Sequence, residues 1–183
     1  DTSIAYSVNN GKVGQGAGFN GTTSKIVLGT GLILANVGTM SCWVNFNTVS
    51  GTLKRIITDT GGYIYFELTA LNKIAFEIYS NNITRSITYT PTIIANTWYH
   101  LTGTWSTLNN DNIMHFFVNG VLVGTSAFQG IQVITNPIQL GNASTLYLSG
   151  KVDMVYFWNR GLSSEDAMRL YNSGQYPFTN VGF

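Results

Sequence analysis

Carboxylates are the side chains in this sequence that most directly suggest chemistry, because two of them flanking a glycosidic bond can hydrolyse it. Glu67 and Glu77 are the candidate pair. They lie in segments 63–69 and 73–79, whose alternating side chains predict the arms of a β-hairpin around Asn72. A symmetric register places the two glutamates directly opposite each other, with Cβ atoms about 4.5–5.5 Å apart. That spacing suits a retaining glycosidase, whose carboxyl groups lie about 5–5.5 Å apart.

The same two glutamates have other interpretations. Like charges directly opposed on a sheet are destabilising, and four nearby cations could neutralise one of them: Lys54, Arg55, Lys73 and Arg85. A catalytic dyad, hydrogen bonding to a glycan and solvated surface carboxylates therefore remain alternatives. The other six carboxylates add no second pair on a strand; they are Asp1, Asp59, Asp111, Asp153, Glu165 and Asp166. We predict no catalytic residue.

Tyrosines share the predicted solvent face of this hairpin with the two glutamates. Ile64, Phe66 and Leu68 alternate with polar residues, which directs the apolar set towards the core. Aromatic rings offer flat apolar surfaces to the C–H faces of a sugar, and carboxylates accept its hydroxyl protons. The ordinary preference of tyrosine for half-exposed strand positions explains the pattern equally well. The predicted carbohydrate-binding residues are Tyr63, Tyr65, Glu67, Glu77 and Tyr79, with Arg85 on the next strand.

Three further patterns predict no chemistry. Residues 16–21 match Gly-x-Gly-x-x-Gly, but no helix follows them to hold a pyrophosphate, so we interpret these glycines as turn glycines. His100 and His115 lie on predicted strands without Asp or Glu at metal-ligand spacing, and no nucleophilic-serine motif precedes them. Cys42 is the single cysteine, which excludes an internal disulfide and predicts a buried, inert thiol.

Composition narrows the class of partner. Nine basic and eight acidic residues among 183 leave a net charge of +1, without a run of like charges, so the electrostatic footprint of a nucleic-acid-binding protein is missing. Apolar runs of only a few residues fall far short of the roughly 20 that span a bilayer, so we expect no membrane insertion. We expect one domain over residues 1–183, soluble and taken from a longer secreted or surface-displayed protein.

The elements that position these residues are predicted to be short strands separated by Gly, Asn and Thr clusters. Asn119-Gly120 predicts a tight type I′ hairpin. Only residues 162–171 predict a helix, with Ser163 as its N-cap and Gly174 as its stop. One short helix excludes a parallel α/β layout, so the fold class is all-β. The predicted strands are 24–28, 40–47, 54–58, 63–69, 73–80, 83–89, 98–105, 113–118, 121–125, 138–140 and 151–158.

Seven short motifs follow one another along nearly the whole chain: Gly16–Gly21, Thr39–Val44, Thr97–Thr102, Phe117–Gly120, Leu140–Gly141, Gly150–Phe157 and Asn159–Ser163. In this order and spacing they resemble the laminin-G-like, concanavalin A-like jelly rolls. The resemblance implies a two-sheet antiparallel jelly-roll sandwich, with the first and last segments pairing in the same sheet.

The resemblance also implies a structural calcium ion. Members of the family often hold one between an N-terminal Phe-Asp-Gly turn and an aspartate of the last long strand. In this sequence those positions are Asn20 and Asp153. Replacing aspartate by asparagine removes a charge, and Ca²⁺ affinity depends on the charge of the ligands.

Function follows from the resemblance only loosely, since members include lectins, adhesion domains, carbohydrate-binding modules and glycanases. The β-glucan-cleaving members carry carboxylates at alternate positions of one strand, and no Glu-x-Asp-x-Glu run occurs here. We therefore expect a non-catalytic carbohydrate-binding or adhesion module at an extracellular, cell or virion surface. It would bind a glycan, polysaccharide or surface glycoprotein on its Tyr-bearing face or at its rim loops. A structural or host-attachment domain that binds protein is one alternative, and a glycoside hydrolase or lyase is another.

Overall fold

The structure, a computed structural model, describes residues 1–49, 51–133 and 135–173 and is almost entirely β. The described residues also include two 3₁₀ turns, Val8–Asn10 and Leu108–Asn110, and one helix, α1 (Ser164–Ser173). This secondary-structure content confirms the predicted all-β class. The strands are β1 (Ala5–Ser7), β2 (Gly16–Asn20), β3 (Ile26–Gly29), β4 (Val37–Phe46), β5 (Lys54–Asp59), β6 (Ile64–Leu68), β7 (Ile74–Ser80), β8 (Ile83–Tyr89), β9 (Trp98–Ser106), β10 (Ile113–Val118), β11 (Val121–Ala127), β12 (Ile138–Leu140) and β13 (Ser149–Trp158).

These strands form two antiparallel sheets packed face to face. The seven-stranded sheet has the order β1-β2-β13-β4-β9-β10-β11, and the six-stranded sheet has the order β3-β12-β5-β6-β7-β8. The last strand pairs with the second, with Val152 opposite Ala17, so the first and last strands lie in the same sheet. The predicted jelly-roll sandwich is confirmed.

The core lies between the sheets and is built from alternate positions of each strand. Phe66 on β6 and Phe76 on β7 are fully buried and contact each other with ring centroids 5.3 Å apart. Phe116 on β10 of the other sheet lies 5.7 Å from the first ring and 6.0 Å from the second. Since burying one such side chain contributes roughly 1.5–3 kcal/mol, these three rings help to hold the sheets together.

The turn at Asn119-Gly120 has the predicted hairpin geometry. Both residues have positive φ, 52° and 76°, and Val118 lies directly opposite Val121 across the turn. The side chain of Asn119 also serves the neighbouring strand, since its Oδ1 accepts the backbone N–H of His100 at 2.9 Å. The turn is therefore anchored to β9 as well as to its own strands.

Helix α1 begins at the predicted cap. Ser163 Oγ accepts the N–H of Asp166 at 3.1 Å, and the Asp166 carboxylate accepts the N–H of Ser163 at 3.3 Å, which forms a reciprocal capping box. The helix lies over the outer face of the seven-stranded sheet, where Tyr171 stacks on Trp43 with centroids 5.6 Å apart. The predicted stop at Gly174 lies outside the described residues. Within the described part of the chain, no helix is long and apolar enough to cross a membrane.

The sequence predicts that the glycines of segment 16–21 are turn glycines, and this prediction is wrong. Most of the segment forms the strand β2. Ala17 and Phe19 are buried in the core, so the segment alternates as a strand does. A Cβ added at Gly16 would overlap the backbone carbonyl of Asn10, so the close approach of the 3₁₀ turn requires glycine there. The glycines permit close packing within the sheet, and the segment does not form a dinucleotide-binding loop.

Candidate functional site

The predicted hairpin exists, and its tyrosines and glutamates lie on the face of the six-stranded sheet that points away from the core. Tyr65 on β6 lies opposite Glu77 on β7. At the end of the hairpin, the N–H of Tyr79 donates to the carbonyl of Tyr63 at 2.7 Å. Glu67 is two residues beyond Tyr65 on the same strand and therefore shares its face. We call these five residues the tyrosine face.

The two glutamates are not directly opposed, so the predicted register is wrong. Glu67 lies opposite Ala75 instead of Glu77. The turn is closed by the N–H of Thr69 donating to the carbonyl of Lys73 at 2.8 Å, which centres it one residue earlier than predicted. This shifts the pairing by two residues, so each side chain keeps its face. Glu67 and Glu77 are diagonal neighbours, for which Cα separations are about 7–8 Å.

Arg85 does not lie on the tyrosine face, which corrects its predicted position. In the β7–β8 ladder Arg85 lies opposite Ile78, a fully buried core residue. Directly opposed residues share a face of the sheet, so Arg85 projects from the core-facing side at the edge of the sheet. The position beside Glu77 is taken by Ser86, whose Oγ donates to Glu77 Oε1 at 3.1 Å.

Arg55 on β5 closes the middle of the tyrosine face. A β-bulge at Ile56 interrupts the β5–β6 ladder next to Arg55. The guanidinium pairs with Glu67, with Nη1 and Oε2 2.7 Å apart, and its carbon lies 3.3 Å from the centroid of the Tyr65 ring. Tyr65 in turn donates its hydroxyl to Glu77 at 2.6 Å. The charged and polar groups at the centre of this face therefore contact one another.

Burial perturbs the titration of this network. Glu67 is only 5% exposed, and desolvation raises its pKa to about 7, although the Arg55 charge opposes the rise. Burial and the hydrogen bond to Glu77 raise the pKa of Tyr65 to about 12. Because Glu67 is covered and paired, it is not placed to act as a nucleophile or acid on a glycosidic bond. The catalytic dyad that the sequence left as one alternative is therefore not formed.

What remains accessible on the tyrosine face lies towards one end of the hairpin. Tyr63 and Tyr79 are half-buried, and their rings meet edge to face with centroids 5.7 Å apart. Glu77 beside them is also half-buried. These three residues offer a small aromatic and acidic surface. Tyr65 and Glu67 serve the packing of the sheet.

The calcium ligands implied by the resemblance do not converge. Asn20 lies beside Ser149 in the β2–β13 ladder, four residues from Asp153, a distance of about 13 Å along a strand. The Oδ1 of Asn20 accepts the backbone N–H groups of residues 22, 23 and 24. The carboxylate of Asp153 accepts those of Lys12, Val13 and Met154. Both side chains hold backbone turns, so this pair does not fit a calcium ion.

A wide cleft opens at one rim of the sandwich and has a volume of about 560 Å³. We call it the rim cleft. It is formed by the end of β2, the loop between β4 and β5, and the loop between β12 and β13. Backbone bonds join these segments, from Asn47 to the Ser149 carbonyl at 3.0 Å and from Arg55 to the Leu146 carbonyl at 3.2 Å. Its lining residues are Asn20, Gly21, Thr48, Thr52, Leu53, Lys54, Thr145, Leu146, Tyr147 and Ser149.

The sequence pointed to rim loops in general but not to these residues. The sequence feature that marks the lining residues is the high content of Thr, Ser and Asn in segments 47–52 and 142–149. This content is also typical of ordinary turns. The lining contains four hydroxyl side chains of Ser and Thr that can donate and accept hydrogen bonds, and one aromatic ring, that of Tyr147. Lys54 is its one charged residue. Such a lining matches a ligand rich in hydroxyl groups.

A second polar cluster lies beneath helix α1. Ser41 Oγ is 3.0 Å from His100 Nε2, and the Ser41 hydroxyl also donates to the Leu101 carbonyl at 2.9 Å. Ser41 is fully buried, and burial lowers the pKa of His100 to about 4, so the imidazole is neutral at pH 7. Trp43 and Tyr171 lie against the His100 ring. The pair is buried, and its contacts tie β4 to β9.

Comparison with known families and structures agrees with this architecture. Residues 20–168 match the family described as the concanavalin A-like lectin/glucanases superfamily. No curated protein matches the chain. Solved structures match over most of its length at low identity, which shows a shared fold.

Three of these structures illustrate the range of similar domains. Domain 4 of AbnA, an extracellular arabinanase from Geobacillus stearothermophilus solved with arabinotriose, is 19% identical with a TM-score of 0.75, over 92% of this chain and 81% of that domain. A heptameric SAP-like pentraxin from Limulus polyphemus is 16% identical with a TM-score of 0.67, over 84% and 80% of the two chains. The binding domain of Paraclostridial Mosquitocidal Protein 1 is 16% identical with a TM-score of 0.72, over 94% of this chain and 46% of that one.

Proposed function

The chain belongs to the concanavalin A-like lectin/glucanases superfamily, and from this premise we propose that it is a non-catalytic module that binds a glycan in the rim cleft. The observation that carries the proposal is the cleft itself. Its volume of about 560 Å³ falls within the roughly 300–1,000 Å³ typical of small-molecule sites. A short saccharide fits that space.

The chemistry of the lining supports a sugar as the ligand. Thr48, Thr52, Thr145 and Ser149 supply hydroxyl groups from separate segments, so a ring with several hydroxyls can be bonded from different sides. Tyr147 supplies an apolar ring for the C–H face of a sugar. The domain in complex with arabinotriose and the binding domain of the mosquitocidal protein support the more general role of a binding module.

A non-catalytic role is supported by the contacts of the two glutamates that were considered as a possible dyad. Glu67 is covered by Arg55, and Glu77 is held by Tyr65 and Ser86. We place the module in an extracellular enzyme or a surface protein, in line with the extracellular arabinanase to which its fold is similar.

A glycan array tests this proposal. We expect the wild-type chain to bind at least one class of glycan, and Tyr147→Ala to lose that binding because the stacking surface is removed. Tyr147→Phe keeps the ring and should retain most of the affinity. Tyr79→Ala is the matched control, because it removes a half-buried tyrosine from the tyrosine face and leaves the rim cleft intact.

Each variant must keep the wild-type melting temperature to be interpreted. Loss of binding in Tyr79→Ala but not in Tyr147→Ala would move the site to the tyrosine face. Binding to a protein partner without any glycan would contradict the proposal and favour an attachment domain. Release of products from a polysaccharide would contradict the non-catalytic role.

A further inference from the structure

Lys54, at the start of β5, is a buried cation without a paired anion among the described residues. It is 5% exposed and lies opposite Leu68, a fully buried core residue, in the β5–β6 ladder. Its Nζ donates to Thr52 Oγ1 at 2.7 Å and approaches the Thr52 carbonyl at 3.4 Å. Both acceptors are neutral, and an ammonium group has three protons to donate.

This lysine differs from the other buried charges of the chain. Arg55, which is also largely buried, pairs with Glu67, and the buried carboxylate of Asp59 accepts the backbone N–H groups of residues 61, 63 and 64 and the side-chain amide of Asn136. The described residues that line the rim cleft include neither Asp nor Glu. A buried charge usually has a partner of opposite sign, because an uncompensated one is unfavourable. Burial accordingly lowers the pKa of Lys54.

The surroundings of the ammonium group indicate which ligand would compensate it. Lys54 lines the rim cleft together with Thr52 and the loop that carries Tyr147, so an anionic group held in the cleft would lie near its charge. A lysine acts on an anion as a compact point charge with rotatable donors, which suits a carboxylate or a sulfate. A neutral saccharide in the same place would exclude water from the charge without neutralising it.

We propose that Lys54 anchors an anionic group of the bound glycan, a carboxylate or a sulfate ester, so that the rim cleft selects acidic over neutral saccharides. The proposal rests on the proposed function and deepens it. In this arrangement Lys54 binds the anionic substituent, and the ring of Tyr147 stacks on the sugar. The surrounding threonines form hydrogen bonds with its neutral hydroxyl groups.

Matched pairs of polysaccharides test the selectivity directly. The array carries uronic-acid polymers beside their carboxyl-reduced products, and sulfated polymers beside their desulfated products. We expect the acidic member of at least one pair to bind about 10- to 100-fold more tightly, the range expected for a charge-assisted hydrogen bond. A difference within the carboxylated pair identifies the anionic group as a carboxylate, and a difference within the sulfated pair identifies it as a sulfate ester.

Three variants assign this preference to the lysine. Lys54→Met keeps the length of the side chain and removes its charge, so it should abolish the preference for the acidic member. Lys54→Arg keeps the charge and should retain part of the preference. Lys73→Met is the control, because it removes a half-buried lysine outside the rim cleft. We also expect Lys54→Met to melt at or above the wild-type temperature, since it removes an uncompensated buried charge.

The outcomes separate the two proposals. Glycan binding that is lost in Tyr147→Ala but shows no acidic preference, and does not change in Lys54→Met, overturns the role of Lys54 and leaves the glycan-binding function standing. Binding to neither member of any pair overturns the role of Lys54, and binding to no glycan on the whole array overturns the proposed function as well. If Lys54→Met fails to fold, a salt titration of the wild type decides: affinity for the acidic member must fall as ionic strength rises, and constant affinity contradicts the proposal.

Discussion

Replacing Glu67 with glutamine tests whether this carboxylate is a buried structural group, as its surroundings indicate. The side chain is 5% exposed, and its pKa is raised from 4.5 to about 7, chiefly by burial. A raised pKa means that the folded state binds the proton more tightly than the unfolded state. The stabilising contribution of this group is therefore fully present below pH 4.5, is lost as the pH rises to about 7, and is constant above that.

The size of the effect follows from the same values. Each pKa unit corresponds to about 1.36 kcal/mol, so the change from 4.5 to about 7 gives an upper bound of about 3 kcal/mol. Because the margin of the network contacts solvent, we expect a stability difference of about 2 kcal/mol, below this upper bound. Protonated glutamate and glutamine are nearly isosteric. We therefore expect the two proteins to be equally stable near pH 4.5 and Glu67→Gln to be more stable by about 2 kcal/mol near pH 8.

Urea denaturation of both proteins at several pH values measures this difference. Groups that titrate identically in the two proteins cancel in the comparison. Glu165→Gln is the control, since it removes a carboxylate that is exposed on helix α1. A difference between wild type and Glu67→Gln that is constant with pH would refute the reasoning. So would a wild type that is the more stable protein near pH 8, because Arg55 would then dominate over burial.

Other parts of the structure give further predictions. Asn119→Ala should lower the unfolding free energy by about 1–2 kcal/mol in urea denaturation, because alanine disfavours the φ of 52° and cannot accept the cross-strand N–H; an unchanged midpoint would contradict this. Gly103→Ala should destabilise by about 1–3 kcal/mol, since its Cβ would lie 2.7 Å from the Phe76 ring, and full stability would show that the ring moves freely. Added calcium should leave the melting temperature unchanged, because Asn20 and Asp153 are far apart and already bonded to backbone N–H groups; a rise of several degrees would contradict this.

The general fold was predictable because it depends on local chemistry. Asn119-Gly120 required positive φ at two consecutive residues, and the structure has both. The alternation in segments 63–69 and 73–79 determined which side chains face the core, and Phe66 and Phe76 are buried there as expected. Side-chain period and turn chemistry are properties of a few neighbouring residues, so the sequence displays them directly.

The details of the site depended on features with no local signal. A shift of two residues preserves every face of a hairpin, so alternation could not show that Glu67 lies opposite Ala75. The bulge at Ile56 was equally invisible, although it lies beside the arginine that covers the tyrosine face. Arg85 was placed on the wrong side because alternation was extended across a turn without knowing the register of β8. The rim cleft required three segments distant in sequence to be brought together.

Mapping of backbone amide chemical shifts, with the best-bound oligosaccharide from the array, tests the central claim most directly. If the glycan occupies the rim cleft, the amides of Thr52, Thr145 and Ser149 should shift on titration while those of Glu77 and Tyr79 stay in place. Shifts confined to Glu77 and Tyr79 would contradict the account and return the binding site to the outer face of the six-stranded sheet.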